Sequence, residues 1–201
     1  MLRVGLTGGL ASGKSFVGEA LAGFGCRLIS ADELGHQVLS PQGECYAAVT
    51  GEFGRGILKE DGSIDRRRLA AVVFGSPEKL ERLNGLVHPA VIAREEALIG
   101  KFEAEDARGI AVVEAAILIE TGSYRRFHRV VLAVCQERQQ LERAMARDGM
   151  SEAEARRRVE RQMPLREKLR FADYVVDTSG EKEDTLRQTR AVYESLRSIQ
   201  L

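Results

Sequence analysis

Gly8-Gly9-Leu10-Ala11-Ser12-Gly13-Lys14-Ser15 sets three glycines, a lysine and two hydroxyls in the pattern G-x-x-x-x-G-K-[ST]. These residue types at this spacing suit the holding of a phosphate chain. Glycines permit positive φ and let successive N–H groups converge on phosphate oxygens. A helix starting near Lys14 would aim the positive end of its dipole at the same point. Lys14 can reach terminal phosphates as a compact charge, and Ser15 offers an oxygen to a Mg²⁺ ion bridging them. The residues expected to line the cradle are Gly9, Leu10, Ala11, Ser12, Gly13, Lys14, Ser15 and Phe16. The bland alternative is an ordinary Gly-rich turn. It is disfavoured because the motif follows a strand-like run and opens a helix-like one.

Four further residues have types suited to chemistry on a phosphate. Asp32 follows the second strand-like run, where open α/β sheets place ligands. It would accept the proton of an attacking hydroxyl or orient it, but a helix N-cap for 33–39 fits the pattern equally well. Arg143 and Arg147 are four apart on one predicted helix and share a face, so they could clamp a transferring phosphoryl group. With Glu137, Glu142 and Asp148 nearby, a solvated charged face is the competing reading. Arg156 and Arg157 read as surface. Glu114 lies in an apolar strand, where a carboxylate is costly to bury without a partner. It is a candidate for holding Mg²⁺ through water, unless the strand end reaches solvent.

The elements that must position these groups are legible as periodicity. Arg3–Thr7 is a short apolar run feeding the loop. From Ser15, Phe16, Val17, Ala20, Leu21 and Phe24 recur at helical spacing, and Gly25 stands at the expected C-terminal cap. Cys26–Ile29 is again strand-like. Residues 33–105 are helical in pattern, broken by turn signals and without a convincing strand, so they read as a helical insertion. Buried strands are expected at Ile110–Ile119 and Arg129–Cys135, and a last short one at Asp173–Asp177. Residues 136–170, with ten basic and seven acidic groups, read as a helical lid. One of its helices ends at Asp148-Gly149. The next opens at Ser151 with Glu154 as a capping box and is interrupted by Pro164. Glu181–Ile199 closes the chain as a helix. The expected fold class is α/β, a single three-layer domain over residues 1–201 with an open parallel five-stranded sheet.

Bulk properties exclude several classes. The 201 residues hold 30 basic and 30 acidic side chains, so no global field favours nucleic acid or an anionic membrane. Cys26, Cys45 and Cys135 form no Cys-x-x-Cys pair, and they read as core thiols of a reducing compartment. The opening residues lack the apolar core of a signal peptide, and the longest apolar stretch is too short to span a bilayer. A cytoplasmic protein is expected, monomeric or a weak homo-oligomer. The chain lacks the Asn-Lys-x-Asp segment of guanine-specific GTPases. Its small size and arginine-rich lid favour a phosphotransferase.

The order of several segments closely resembles the dephospho-coenzyme A kinase family. Gly5–Gly9 leading into Ser12–Ser15 carries the likeness, as do Ala31-Asp32, Asp61–Arg66, Val73-Phe74, Leu83-Asn84 and His88–Ile92. Further on come Arg143 with Arg147-Asp148-Gly149, Arg158 with Gln162-Met163-Pro164, Lys168, and Ala172-Asp173. The likeness covers nearly the whole chain. It implies a P-loop kinase fold and ATP- and Mg²⁺-dependent phosphorylation of the ribose 3′-hydroxyl of dephospho-CoA. It also implies that Asp32 is the base, that 33–105 binds the acceptor with His88 and Lys168 contributing, and that the turn Thr178-Ser179-Gly180, with Ser179 in it, approaches the adenine. For Lys168 a surface lysine is the competing reading.

Two departures stand out. Ser30-Ala31-Asp32 replaces the family's usual Asp-Ala-Asp, and Glu114–Glu120 replaces Asp-x-Pro-Leu-Leu-Phe-Glu. Ser30 still donates and accepts hydrogen bonds and Glu114 keeps the charge on a longer arm, so activity is expected to survive. Two other readings remain: a kinase of this fold for another acceptor, such as a nucleoside monophosphate or shikimate, and a nucleotide-binding regulatory module without turnover.

Overall fold

The computed structural model describes residues 1–73 and 75–199; Phe74, part of the resemblance above, lies outside them. The chain divides into two compact units, one of Met1–Ser30 with Lys101–Leu201, the other of Ala31–Gly100.

The first unit is built on a parallel five-stranded sheet. Its strands are β1 (Leu2–Gly8), β2 (Arg27–Ser30), β3 (Ile110–Glu114), β4 (Arg129–Val134) and β5 (Tyr174–Asp177), in the order β2-β3-β1-β4-β5. The three central strands are nearly unbroken buried apolar runs, as strands covered on both faces must be. The edge strands β2 and β5 have four residues each and show exposed positions.

Helices α1 (Lys14–Gly23), α6 (Glu137–Asp148), α7 (Glu152–Glu160), α8 (Leu165–Lys168) and α9 (Lys182–Arg197) belong to the same unit. Val4 and Leu6 of β1, Val112 of β3 and Val131 of β4 pack with Val17 and Leu21 of α1 and Val192 and Leu196 of α9. Burying each of these side chains is worth about 1.5–3 kcal/mol. Side chains alternate across a strand, so Gly5 faces the other side of the sheet. There the space a Cβ would need is taken by Leu118 and Phe127.

The chain leaves β1 for the edge strand β2, returns to β3 beside β1, then crosses to β4 and β5. Loops leaving the carboxyl ends of β1 and β3 therefore diverge, which opens a crevice there. β1 ends at Gly8 and β3 at Glu114, so the motif and the buried acid face one crevice.

Three local expectations change. The apolar run from Ile110 makes a strand only to Glu114; beyond it Thr121 N donates to Ile117 O and Gly122 N to Ile119 O, turns that end the strand. Pro164 does not interrupt a helix. α7 has already ended at Glu160, and Pro164 stands at the N-cap of α8 with ψ 143°. The left-handed residues of the loop are Gly13 at φ 80° and Ala11 at φ 50°, not Gly8 or Gly9. Gly8 is required for space instead, because a Cβ there would collide with Ser12 Oγ and lie 2.7 Å from Ala133 O.

The second unit is helical: α2 (Ala31–Val38), α3 (Tyr46–Phe53), α4 (Arg66–Val73) and α5 (Pro77–Glu105), whose last residues belong to the first unit. An antiparallel bridge pairs Leu58 with Ile64. Arg94 ties α5 to the loop before α3, donating to both carboxylate oxygens of Glu44 and to Gln37 Oε1, each at 2.9 Å. Among the described residues no helix is long and apolar enough to cross a membrane. All three cysteines are free and buried, and burial pushes the Cys26 thiol up to about 12.

Candidate active site

The loop between β1 and α1 wraps an open cavity of about 240 Å³. Gly9, Ala11, Ser12, Gly13, Lys14, Ser15 and Phe16 line it from the loop, and Arg143 and Arg147 from α6. The first i→i−4 bond of α1 runs from Val17 N to Gly13 O at 3.2 Å, so the N–H groups of Lys14, Ser15 and Phe16 precede the helical ladder. Such a terminus, with its dipole, is an anion site by construction. Ser12 Oγ is buried and has no hydrogen-bond partner among the described residues. An unmade bond of this kind costs about 1–3 kcal/mol until water or a ligand oxygen takes it.

Glu114 is not itself among the lining residues but holds two that are, Lys14 and Ser15. Its Oε1 accepts from Lys14 Nζ at 2.5 Å and from Ser15 Oγ at 2.7 Å. The strand end does not reach solvent, since Glu114 is 7% exposed. Ser30 stands opposite Glu114 in the β2–β3 register. No group of three His, Cys, Asp or Glu side chains that could hold a metal occurs among the described residues. The donor set nonetheless fits Mg²⁺, which takes one or two protein oxygens and completes its shell with phosphate and water. Ser15 Oγ and the Glu114 carboxylate are hard oxygens that stand 2.7 Å apart.

The two arginines differ. Arg143 is held by neutral groups, donating from Nη1 to Thr178 Oγ1 at 3.1 Å and from Nη2 to Thr178 O at 2.7 Å. Arg147 pairs with its neighbour Asp148 at 2.8 and 2.9 Å, which raises the guanidinium and lowers the carboxyl from their ordinary values. Arg156 and Arg157 are exposed, as read from sequence.

The remaining candidates are placed as follows. Leu10 N donates to Gln162 Oε1 at 2.8 Å, so that loop donor is already taken, and Leu10 packs on the Leu141–Ala155 cluster of α6 and α7. Ser179 lies in the turn after β5, its N–H on Asp177 Oδ1 and its carbonyl on Gln139 Nε2, both at 2.8 Å. Neither is among the residues lining the cavity. Lys168 is no surface lysine. It is 2% exposed and ion-paired, Nζ 2.8 Å from Glu120 Oε1, while neither Nζ nor Glu120 Oε2 has a hydrogen-bond partner among the described residues. Asp32 and His88 belong to the second unit. α2 begins at Ala31, which makes Asp32 an exposed first-turn residue rather than the cap. His88 lies within α5, and burial holds its imidazole below the ordinary value.

Three polar residues at the site were not expected beside the phosphate loop, although Gln162 carries the family resemblance and Thr178 opens the turn expected toward the adenine. Gln140 is one, since a Cβ on Gly9 would lie 2.6 Å from its Nε2. Residues 140, 143 and 147 share a helix face, and that spacing was the available signal. Thr178 and Gln162 act through long-range contacts that leave no local pattern.

Comparison with known proteins agrees with this geometry. The family model described as dephospho-CoA kinase matches residues 2–184. A dephospho-CoA kinase from Aquifex aeolicus is 39% identical over 196 residues, covering 98% of each chain. A crystal structure from Thermus thermophilus superimposes with a TM-score of 0.80 at 31% identity, covering 97% of both chains. A dephospho-CoA kinase from Campylobacter jejuni does so with 0.70 at 25%, covering 97% of this chain and 96% of that one. The parallel sheet and its loop are those of the P-loop kinases, and the chain belongs to the dephospho-CoA kinase family.

Proposed function

We propose that this protein transfers the γ-phosphoryl group of ATP to the ribose 3′-hydroxyl of dephospho-CoA, yielding coenzyme A and ADP, the last step of coenzyme A synthesis. The observation that carries the reading is the cavity at the N-terminus of α1, where backbone donors, Lys14 and two arginines converge. Family membership supplies the acceptor.

In this reading the triphosphate lies in the loop, with Lys14 exchanging its Glu114 contact for phosphate oxygens. Phosphoryl transfer asks the protein chiefly for positioning and for charge where the transferring group spreads its own. Lys14 and Arg143 supply that charge, and Arg147 joins when it leaves Asp148. Asp32 orients the 3′-hydroxyl and takes its proton while the 3′ oxygen bonds to phosphorus and the bridging oxygen departs with ADP. Ser15 and Glu114 would hold Mg²⁺, which when bound neutralises phosphate charge. Residues 33–105 serve the acceptor, with His88 and Lys168 contributing, and 136–170 forms the lid. Ser179 lies toward the adenine. The compartment is the cytosol, and the assembly a monomer or weak homo-oligomer.

A coupled ADP-release assay offering dephospho-CoA, AMP, cytidylate and shikimate in turn tests the proposal. Turnover with dephospho-CoA alone is expected. Turnover only with another acceptor, or Mg·ATP binding without turnover on any, would overturn it.

A further inference from the structure

Thr178 has no part in phosphoryl transfer in the reading above, yet three parts of the cavity meet on it. It follows β5 directly and is 4% exposed. Its Oγ1 lies 2.8 Å from Ser12 O and 3.1 Å from Val134 O as acceptors, and accepts from Arg143 Nη1 at 3.1 Å. Its carbonyl takes Arg143 Nη2 at 2.7 Å, and its own N–H donates to Val134 O at 2.8 Å. A Cβ on Gly13 would lie 2.9–3.0 Å from Oγ1, Cβ and Cγ2, so the side chain is pressed against the left-handed residue of the loop. One threonine thus touches both the Ser12–Gly13 turn and the guanidinium that lines the cavity with it.

The chemistry of the contact matters as much as its geometry. A hydroxyl has one proton and two lone pairs. Ser12 O at 2.8 Å is the nearer of two acceptors for that proton, Val134 O lying at 3.1 Å, and a lone pair takes the arginine, so loop and cation meet on a single oxygen. Both acceptors offered to Arg143 are neutral. Its charge is therefore not cancelled in advance, whereas that of Arg147 is met by Asp148. Two of its five donors are spent on Thr178 and the Cys135 thiol also meets the guanidinium, yet Arg143 still lines the cavity where an anion would sit. A cation whose rotamer is set before the ligand arrives loses less freedom during transfer.

We infer that Thr178 is a positioning residue for phosphoryl transfer, holding Arg143 in register with the Ser12–Gly13 turn. The inference rests on the reading that the cavity takes the triphosphate. Valine keeps the shape of threonine but neither donates nor accepts, while serine keeps the hydroxyl.

Turnover should be measured across ATP concentration at saturating dephospho-CoA and across dephospho-CoA concentration at saturating ATP, with calorimetry of Mg·ATP binding, for wild type, T178V, T178S, R143A and T178V/R143A. Leaving such groups unpaired should lower kcat about ten- to a hundredfold in T178V, with KM for dephospho-CoA unmoved. T178S should stay within about threefold of wild type, and T178V should add less than about threefold to the loss already caused by R143A. Should T178V fail to fold, T178S against T178A compares hydroxyl with no hydroxyl, the methyl being absent from both. Wild-type kcat in T178V, an equal fall in T178S, or losses that multiply in the double variant would each overturn the inference. A wild type that turns over but shows any of these defeats only the role of Thr178; a wild type that binds no Mg·ATP defeats the reading of the cavity.

Discussion

Lys14 and Glu114 form a nearly buried ion pair, Nζ to Oε1 at 2.5 Å, with side chains 11% and 9% exposed. The lysine that would grip phosphate is thus already neutralised by a carboxylate of β3, on the oxygen that also accepts from Ser15. Removing one member of such a pair leaves the other charge uncompensated, at about 3–5 kcal/mol, more than the pair itself contributes.

Lys14→Ala is therefore expected to lose in two ways. Turnover should fall about 10²–10³-fold through lost transition-state charge, with ATP affinity less affected. The melting temperature should fall as well. Adding Glu114→Gln should recover much of the stability and none of the activity. Calorimetric melting and ADP release on the single and double variants check both halves.

Asp32→Asn should keep both substrates bound and slow transfer about 10²–10⁴-fold. Binding titrations beside single-turnover rates are the measurement. Full-rate transfer would leave Asp32 as a first-turn residue favourable to the α2 dipole and nothing more.

Lys168, with its side chain 2% exposed, pairs with Glu120, 19% exposed. Lys168→Met should destabilise by about 3–5 kcal/mol, while Lys168→Met with Glu120→Leu should fall much closer to wild type. Denaturant melts measure this. If Lys168 also meets the acceptor, the double variant will be stable and yet show a raised KM for dephospho-CoA.

Acid should weaken the fold partly through His88. Its folded value lies below the ordinary 6.5, so between the two the unfolded chain binds a proton that the native chain refuses. The associated stability is complete above pH 6.5 and is lost as pH falls toward the folded value. His88→Gln should flatten the slope of unfolding free energy against pH across that window. An unchanged slope would show that the imidazole is solvated.

The sequence showed the phosphate loop, its flanking strand and helix, and the order of the five strands along the chain, because each depends on residues within one or two turns of one another. Ser151 as an N-cap was legible for the same reason, while Gly25, at φ 110°, stands one residue beyond the C-cap of α1, Phe24. Where the apolar run after Ile110 ceases to be strand was not. Ile117, Leu118 and Ile119 are as apolar as the strand before them, and only their packing, such as Leu118 over Gly5, takes them out of it.

By itself the sequence determined the chemistry available: a phosphate loop, a lysine, a hydroxyl and a set of acids and arginines, in an order shared with one kinase family. Tertiary structure decided which of these meet. It brought Glu114 to Lys14 across 100 residues and Thr178 to Ser12 across 166, buried Lys168 against Glu120, and set Arg143 on the neutral oxygens of Thr178 while giving Arg147 an acid. Local periodicity records which face of an element is buried. It does not record what lies opposite, which depends on strand order and on the few ångströms that decide between an ion pair and a solvated charge.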